Sequence, residues 1–261
     1  PTPRRPSRSR VNARTPGTTA LATAWPTMTA TACATSLRFP VAPTVFDCDG
    51  TLGDSQQTII TATEAALGSH DFASPDRRDI LYAVGLPVDV AMRRHAPEAS
   101  DDQIINMLDI YRETYQQLVQ QDDRGQVMFE GMHEQIIKLG NMDDTLLGII
   151  TMKSRRGLER VVDAYDIRQF FQVLKSADDG PGKPNPDLML DAIRETGVDA
   201  SQALMVGDTS FDILMAKSAG TKAIGVGWGY QTVEELEESG ADAIAETPED
   251  LNDLLVAFQP Q

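Results

Sequence analysis

The chain has 261 residues, 41% hydrophobic and 24% charged, and its 39 acidic residues against 23 Lys and Arg give a net charge of −16. This composition suits a globular protein with one large domain, or a core with a small second domain, and argues against full disorder. Two cysteines exclude a disulfide scaffold and a multi-cysteine zinc site. No apolar run approaches the ~20 residues that cross a bilayer, and an acidic chain lacks the basic face that binds nucleic acid. We therefore expect a soluble protein with neither a membrane nor a nucleic-acid partner.

The charge is unevenly distributed. Residues 1–46 contain six arginines and no Lys, Asp or Glu, so this segment carries +6 and the remainder −22. These arginines are Arg4, Arg5, Arg8, Arg10, Arg14 and Arg38. Residues 1–40 are rich in Pro, Thr, Ser and Ala without apolar periodicity, which predicts a disordered leader. A tag or upstream-translated segment, an organelle transit peptide and a basic arm for an anionic partner are its alternative interpretations. We expect a cytoplasmic protein, or an organellar one if the leader is a transit peptide.

Short apolar runs alternate with helical patterns from residue 41 onward. The runs predict strands at 41–46, 146–150, 203–206 and 223–226, with a further candidate at 170–173. Helical patterns occupy 158–165, 211–219 and 247–258. Strands that alternate with helices predict an α/β, Rossmann-like fold with a parallel sheet flanked by helices on both faces.

Residues 54–126 interrupt this alternation, because they contain helical patterns and no convincing strand. Ser100 to Gln103 form a capping-box sequence with acids in the first turn. The apolar residues that follow at helical spacing are Ile104, Leu108, Tyr111, Tyr115 and Leu118. We predict a small, all-helical cap domain at 54–126, inserted after the first strand of a core made of 41–53 and 127–261.

The first predicted strand ends in Asp47 and Asp49, followed by Gly50. Residues two apart in an extended chain face the same way, so both carboxylates could approach one ligand. Paired carboxylates suit Mg²⁺, and they also suit a nucleophile working beside a general acid/base. The alternative is a simple turn, since Asp-Gly is a common turn former.

The ends of the later strands carry further polar residues. The segment 151–154 (Thr-Met-Lys-Ser) offers a hydroxyl, on Thr151, and free backbone N–H groups, as at Met152, that could hold a phosphoryl oxygen, although Thr or Ser before a helix is often only an N-cap. Lys183 lies on a restricted loop among prolines and glycines, where the alternative is a solvated surface lysine. Asp208 and Asp212, about one helical turn apart, are a possible second pair of metal ligands, and the alternative is again a helix N-cap.

In chain order these segments resemble the four motifs of the haloacid dehalogenase (HAD) phosphohydrolase superfamily. DCDGTLGDS at 47–55 is similar to that superfamily's DxDGTLxDS signature, GKPNPD at 182–187 to its GKPxPx loop, and GDTSFDILMAKSAG at 207–220 to its GDTxxDxxxAxxAG box. The resemblance extends from residue 41 to the C-terminus. The helical insert resembles the small cap of the phosphoglycolate phosphatase-like branch.

The resemblance implies a role for each matched residue. Asp47 would attack phosphorus and become an aspartyl-phosphate, while Asp49 would act as general acid and then base. Mg²⁺ would be held by the carboxylates of Asp47 and Asp208 and the backbone carbonyl of Asp49, with Asp212 orienting metal waters or the lysine. The phosphate-binding set would be Asp47, Gly50, Thr151, Met152 and Lys183, with Thr151 and Lys183 also stabilising charge during catalysis.

The implied activity is Mg²⁺-dependent hydrolysis of a small phosphorylated metabolite, with phosphoglycolate as the first candidate. A sugar phosphomutase or a pyrophosphatase of the same superfamily is the alternative activity. A non-catalytic binding protein on this fold is a more remote alternative, against which the intact motif residues argue. We expect a monomer or a homodimer.

Overall fold

The structure is a computed structural model that describes residues 42–121, 126–143 and 145–258. All of these residues belong to one compact unit, Arg38–Gln261. The predicted leader at 1–40 lies outside the described residues. The strands are β1 (Thr44–Phe46), β2 (Gly53–Asp54), β3 (Val127–Met128), β4 (Leu147–Ile150), β5 (Phe171–Lys175), β6 (Leu204–Gly207), β7 (Lys222–Val226) and β8 (Ala243–Ala245). The helices are α1 (Gln56–Gly68), α2 (Arg77–Tyr82), α3 (Val88–His95), α4 (Asp101–Gln121), α5 (Met132–Gly140), α6 (Arg155–Ala164), α7 (Asp187–Thr196), α8 (Ser210–Ala219), α9 (Val233–Glu238) and α10 (Pro248–Ala257).

Six strands form one sheet in the order β5-β4-β1-β6-β7-β8, and every neighbouring pair is parallel. The predicted parallel α/β fold is therefore confirmed. β1 lies between β4 and β6, so the strand that carries Asp47 is central and its carboxyl end is flanked on both sides. Ligands of open α/β sheets bind at this edge.

Successive residues of a strand point to opposite faces of the sheet. Both faces here carry apolar side chains, and helices cover each of them. Phe46 packs on one side with buried residues of α5, α6 and α10. Val45 packs on the other side with buried residues of α7, α8 and α9. A strand that is buried on both faces needs apolar residues at consecutive positions. These strands therefore appear in the sequence as continuous apolar runs.

The four helices α1 to α4 occupy the chain between β2 and β3 and have an apolar core of their own. Ala66 and Leu67 of α1, Met92 of α3 and Met107 of α4 belong to it. The predicted capping box is present before α4: the Ser100 N–H donates to the Gln103 side chain, and the Gln103 N–H donates to the Ser100 hydroxyl. Within the described ranges, no helix combines the length and apolar character that crossing a membrane requires.

A short antiparallel pairing of β2 with β3 joins the two ends of this helical segment. Gly53 pairs with Met128 and Asp54 pairs with Val127. The prediction placed Asp54 at the start of an all-helical insert, and the structure places it in a strand instead. Two-residue strands carry no detectable alternation, so sequence periodicity cannot reveal them.

Candidate active site

The central strand positions the first carboxylate. The Asp47 N–H donates to the Val206 carbonyl at 2.9 Å, so the β1–β6 ladder continues to the site residue itself. On the other side, the Thr151 N–H donates to the Lys175 carbonyl at 3.0 Å, which extends β4 in the same way. Asp47, Thr151 and Asp208 therefore all follow directly after neighbouring strands, and all three are buried.

Lys183 lies between two carboxylates in the interior of the protein. Its Nζ donates to Asp47 Oδ1 and pairs with Asp212 Oδ1, each at 2.6 Å, and its side chain is 0% exposed. The interpretation of Lys183 as a solvated surface lysine is therefore wrong. Burial alone would lower the pKa of Lys183, but Asp212 and Asp47 outweigh that effect and raise it, so the side chain stays a cation.

Three carboxylates converge around this lysine. Asp47, Asp208 and Asp212 each offer an oxygen within 4.8 Å of the others, and all three are buried. Burial raises the pKa of Asp47 to about 7 against the opposing charge of Lys183. Burial and the two neighbouring carboxylates raise the pKa of Asp208 well above its ordinary value. A set of hard oxygen donors with more negative than positive charge fits a divalent cation, which this cluster could hold.

Asp208 is held against the first motif by a close backbone approach. Thr51 Oγ1 donates to its Oδ1 at 2.8 Å and the Tyr230 N–H donates to its Oδ2 at 2.9 Å. Gly50 has a φ of +83°, and a Cβ there would lie 2.1 Å from Asp208 Oδ2. Only glycine satisfies both conditions, so Gly50 is required by the conformation and by the space that the carboxylate fills.

Asp212 serves both the helix and the lysine. Its Oδ2 accepts hydrogen bonds from the N–H and the hydroxyl of Thr209, the N-cap of α8, at 3.2 and 2.7 Å. Its other oxygen pairs with Lys183. Because Thr209 is the N-cap, the interpretation of Asp208 as the cap is wrong. In the 151–154 segment the N-cap alternative is confirmed for Ser154, which caps α6 by accepting from the Gly157 N–H, and is wrong for Thr151.

Asp49 points away from the carboxylate cluster. Its Oδ1 pairs with Lys153 Nζ at 2.6 Å and also accepts a hydrogen bond from the Ser55 hydroxyl. Lys153 donates in addition to the Tyr115 hydroxyl of α4 at 2.8 Å. The simple-turn interpretation is wrong for both aspartates: a turn begins at Gly50, whereas Asp49 forms an isolated bridge with Gly53 and presents its carboxylate to a buried lysine.

Three residues of this site were missed by the sequence analysis: Thr51, Lys153 and Tyr230. The Tyr230 hydroxyl accepts from the Ser55 N–H at 3.0 Å, so this tyrosine contacts both halves of the site. Thr51 and Lys153 lie inside the first and second motif segments, but no contact or chemical role was predicted for either side chain. Trp228 donates from its indole N–H to the Thr51 carbonyl at 3.1 Å and so supports the backbone of the first motif.

A chamber of about 490 Å³ lies between α1–α4 and the loop after β4. Asp49, Met152 and Lys153 are among the residues that line it. The remaining lining comes mostly from α3, α4 and the segment between α2 and α3. Asp49 therefore both pairs with Lys153 and lines the chamber.

Comparison with known proteins agrees with this arrangement. Residues 44–226 match the family model described as haloacid dehalogenase-like hydrolase. The chain is 33% identical over 205 residues to a probable phosphatase, IndB, of Dickeya dadantii, which covers 78% of this chain and 88% of that protein. It is 27% identical over 231 residues to phosphoglycolate phosphatase of Escherichia coli, covering 82% of this chain and 90% of that protein.

A solved structure shares the whole architecture. The crystal structure of a hydrolase from Pseudomonas syringae superposes with a TM-score of 0.73 at 25% identity, over 82% of this chain and 97% of that one. The fold, the ordered motifs and the family match agree, and the chain belongs to the haloacid dehalogenase-like hydrolase family.

Proposed function

We propose that this protein is a Mg²⁺-dependent phosphatase that hydrolyses a small phosphomonoester through an aspartyl-phosphate on Asp47. The observation that carries the proposal is the buried Asp47 carboxylate, held at 2.6 Å by Lys183 and next to Asp208 and Asp212. The names of its phosphatase relatives support the same activity. The role of each residue below is part of this proposal.

Asp47 is the nucleophile. One of its carboxylate oxygens forms a bond to phosphorus as the bond from phosphorus to the alcohol oxygen breaks. Lys183 holds this carboxylate in place and offers positive charge to the transferring group, with the Thr151 hydroxyl as a further donor. Positioning and charge stabilisation are the main tasks of a protein in phosphoryl transfer.

Asp49 moves the protons. It donates a proton to the leaving alcohol oxygen and later accepts one from the water that attacks the aspartyl-phosphate, which frees Asp47 and releases phosphate. Lys153 Nζ, 2.6 Å away, stabilises the Asp49 carboxylate between these two steps. The two aspartates thus have different partners and different tasks, as in other sites where environment separates two carboxylates.

The carboxylates of Asp47 and Asp208, with Asp212 close by, would hold the cation. When bound, Mg²⁺ supplies positive charge against the phosphoryl oxygens and the buried carboxylates. The backbone carbonyl of Asp49 remains a predicted third ligand.

The decisive experiment is phosphate release by Asp47→Asn. We expect kcat to fall at least about a thousandfold with an unchanged far-UV spectrum. Asp163→Asn, an exposed acid on α6, is the matched control and keeps full activity. Retained turnover in Asp47→Asn is incompatible with the mechanism. Phosphoglycolate is the first substrate for this assay, because the similar enzyme from Escherichia coli is named for it.

A further inference from the structure

The chamber next to Asp49 is large compared with a two-carbon leaving group. Its volume is about 490 Å³, whereas ~10–15 Å³ of such volume is already enough to hold one water molecule. This volume lies in the range of ~300–1,000 Å³ that is typical of pockets for drug-sized ligands. The glycolate part of phosphoglycolate would leave most of the chamber to water.

Most of the chamber wall is apolar. The side chains that make it so come from α1 to α4 and from the chain between α2 and α3, and include Ile59, Ile80, Val84, Val88, Met92 and Leu108. Tyr111 and Tyr115 add two stacked rings with centroids 6.0 Å apart. Water in such a chamber gains from displacement by an apolar group, whereas a hydroxyl-rich sugar would lose hydrogen bonds there.

The cations among the described lining residues are already engaged. Lys153 pairs with Asp49 and donates to Tyr115. Arg112 pairs with Asp109, and both side chains are 62% exposed, so the Arg112 charge is solvated outside the apolar part of the chamber. Burial lowers the pKa of His95, so its ring is neutral at neutral pH. A carboxylate that entered the chamber would lose its hydration without gaining an unpaired cation from these residues.

The neighbouring arginines do not change this conclusion. Arg93 pairs with Asp101 at 2.9 Å, and the Arg94 guanidinium lies 4.9 Å from the centroid of the Tyr82 ring. Neither residue lines the chamber.

We infer that the chamber receives the alcohol part of the substrate, and that this part is an uncharged, largely apolar group at least as large as one ring. The inference rests on the proposed phosphatase function only for the position of the phosphate. By this inference the preferred leaving group is a ring-bearing alcohol and not the two-carbon acid glycolate.

The test compares three phosphomonoesters of primary alcohols: 2-phenylethyl phosphate, ethyl phosphate and phosphoglycolate. The first two differ only by the ring, so their intrinsic reactivities are similar. We expect kcat/KM for 2-phenylethyl phosphate to exceed both others at least about tenfold, which corresponds to about 1.4 kcal/mol. In Asp47→Asn with Mg²⁺ present, calorimetry should show at least the same ratio in Kd without turnover.

A pair of variants on one helix locates the ring. Ala91 lines the chamber, so Ala91→Phe should raise the Kd of 2-phenylethyl phosphate at least about tenfold and leave that of ethyl phosphate within about twofold. Val90, 43% exposed on the same helix and outside the chamber lining, provides the control Val90→Phe, which should change neither.

The outcomes separate the two proposals. Turnover that depends on Asp47 but is equal or faster with ethyl phosphate or phosphoglycolate overturns the chamber inference alone. Equal Kd values for the ring-bearing and ring-free esters overturn it as well, whether or not either is hydrolysed. Ring-dependent binding without any Asp47-dependent turnover supports the chamber inference and overturns the proposed function.

Discussion

Three Gly→Ala variants separate backbone strain from the requirement for space beside Asp208. At Gly50 the backbone is left-handed and a Cβ would lie 2.1 Å from Asp208 Oδ2. At Gly197, which ends α7, φ is +70° but nothing lies within 4 Å of the added Cβ. At Gly68, the last residue of α1, there is neither a left-handed φ nor a neighbour within 4 Å.

The structure sets the expected losses in free energy of unfolding. Gly197→Ala should cost about 1–2 kcal/mol for the left-handed conformation alone. Gly50→Ala adds a displacement of Asp208 by roughly 1 Å or more to reach a contact distance of ~3.5 Å. That movement breaks at least one of the hydrogen bonds to Asp208 from Thr51 and Tyr230, and a buried polar group left without its partner costs about 1–3 kcal/mol. We therefore expect a total loss of about 3 kcal/mol or more.

Urea denaturation of all three variants measures these losses, and Mg²⁺ titration calorimetry measures the site. Gly50→Ala should lose Mg²⁺ binding and phosphatase activity together. Gly197→Ala should retain both, and Gly68→Ala should match or slightly exceed the parent in stability, because alanine favours helix. If Gly50→Ala lost no more stability than Gly197→Ala and still bound Mg²⁺ like the parent, the assignment of the space beside Asp208 would be incorrect.

Three further predictions concern charge. Lys183→Met should lower the free energy of unfolding, measured by urea denaturation, by about 3–5 kcal/mol, because two buried carboxylates lose their cation. Adding Asp212→Asn to this variant should recover part of the loss. A loss below about 1 kcal/mol in Lys183→Met alone would contradict the argument. Adding Mg²⁺ to EDTA-treated protein should raise Tm in a thermal scan, whereas Asp208→Asn should show no such increase; an equal increase in both argues against this site. Hydrogen bonds from Lys217 and a backbone N–H outweigh burial and lower the pKa of Asp242, so its stabilisation is present above about pH 3.8 and is lost as the pH falls toward the lowered value. Acid titration of Asp242→Asn should therefore show less loss of stability below that pH than the parent, and identical curves would contradict this.

The convergence of the site could be predicted because parallel strands end at one edge of a sheet. Asp47 and Asp208 follow β1 and β6, which are neighbours, so their approach follows from the strand order. The apolar runs that mark these strands are easily recognised, because residues on both faces of the sheet are buried. Lys183 comes from a loop rather than a strand end, and its place among the expected site residues came from the motif.

The position of Lys153 could not be predicted in the same way. Its partners are Asp49, from the first motif, and Tyr115, on a helix of the inserted segment. The helical spacing put Tyr115 on an apolar face, which suggests core packing and gives no sign of a lysine. Contacts between segments far apart in sequence depend on how those segments pack against each other, and local sequence patterns do not reveal this packing.

The short edge strand β8 was missed for a different reason. Its residues, Ala243 to Ala245, include two alanines, which have low β-propensity, and only Ala245 is buried. The strand forms because β7 offers a free edge, where Ile224, Gly225 and Val226 pair with it.

The pairing of Gly53 with Met128 has a consequence for how this protein can diversify. The helical segment α1 to α4 is joined to the core at both of its ends by this one short pair of strands, β2 and β3, which is separate from the six-stranded sheet. Apart from Ser55 and Gln126, which bond to Asp49 and to the Cys48 carbonyl, the chain between these points can change in length or composition while β1, β4 and β6 keep their register. The wall of the chamber therefore comes largely from a replaceable segment, and the aspartates and Lys183 come from the part that must stay the same. If the chamber receives the leaving group as proposed, a new leaving group requires exchange of that segment alone, provided that the new segment supplies a partner for Lys153.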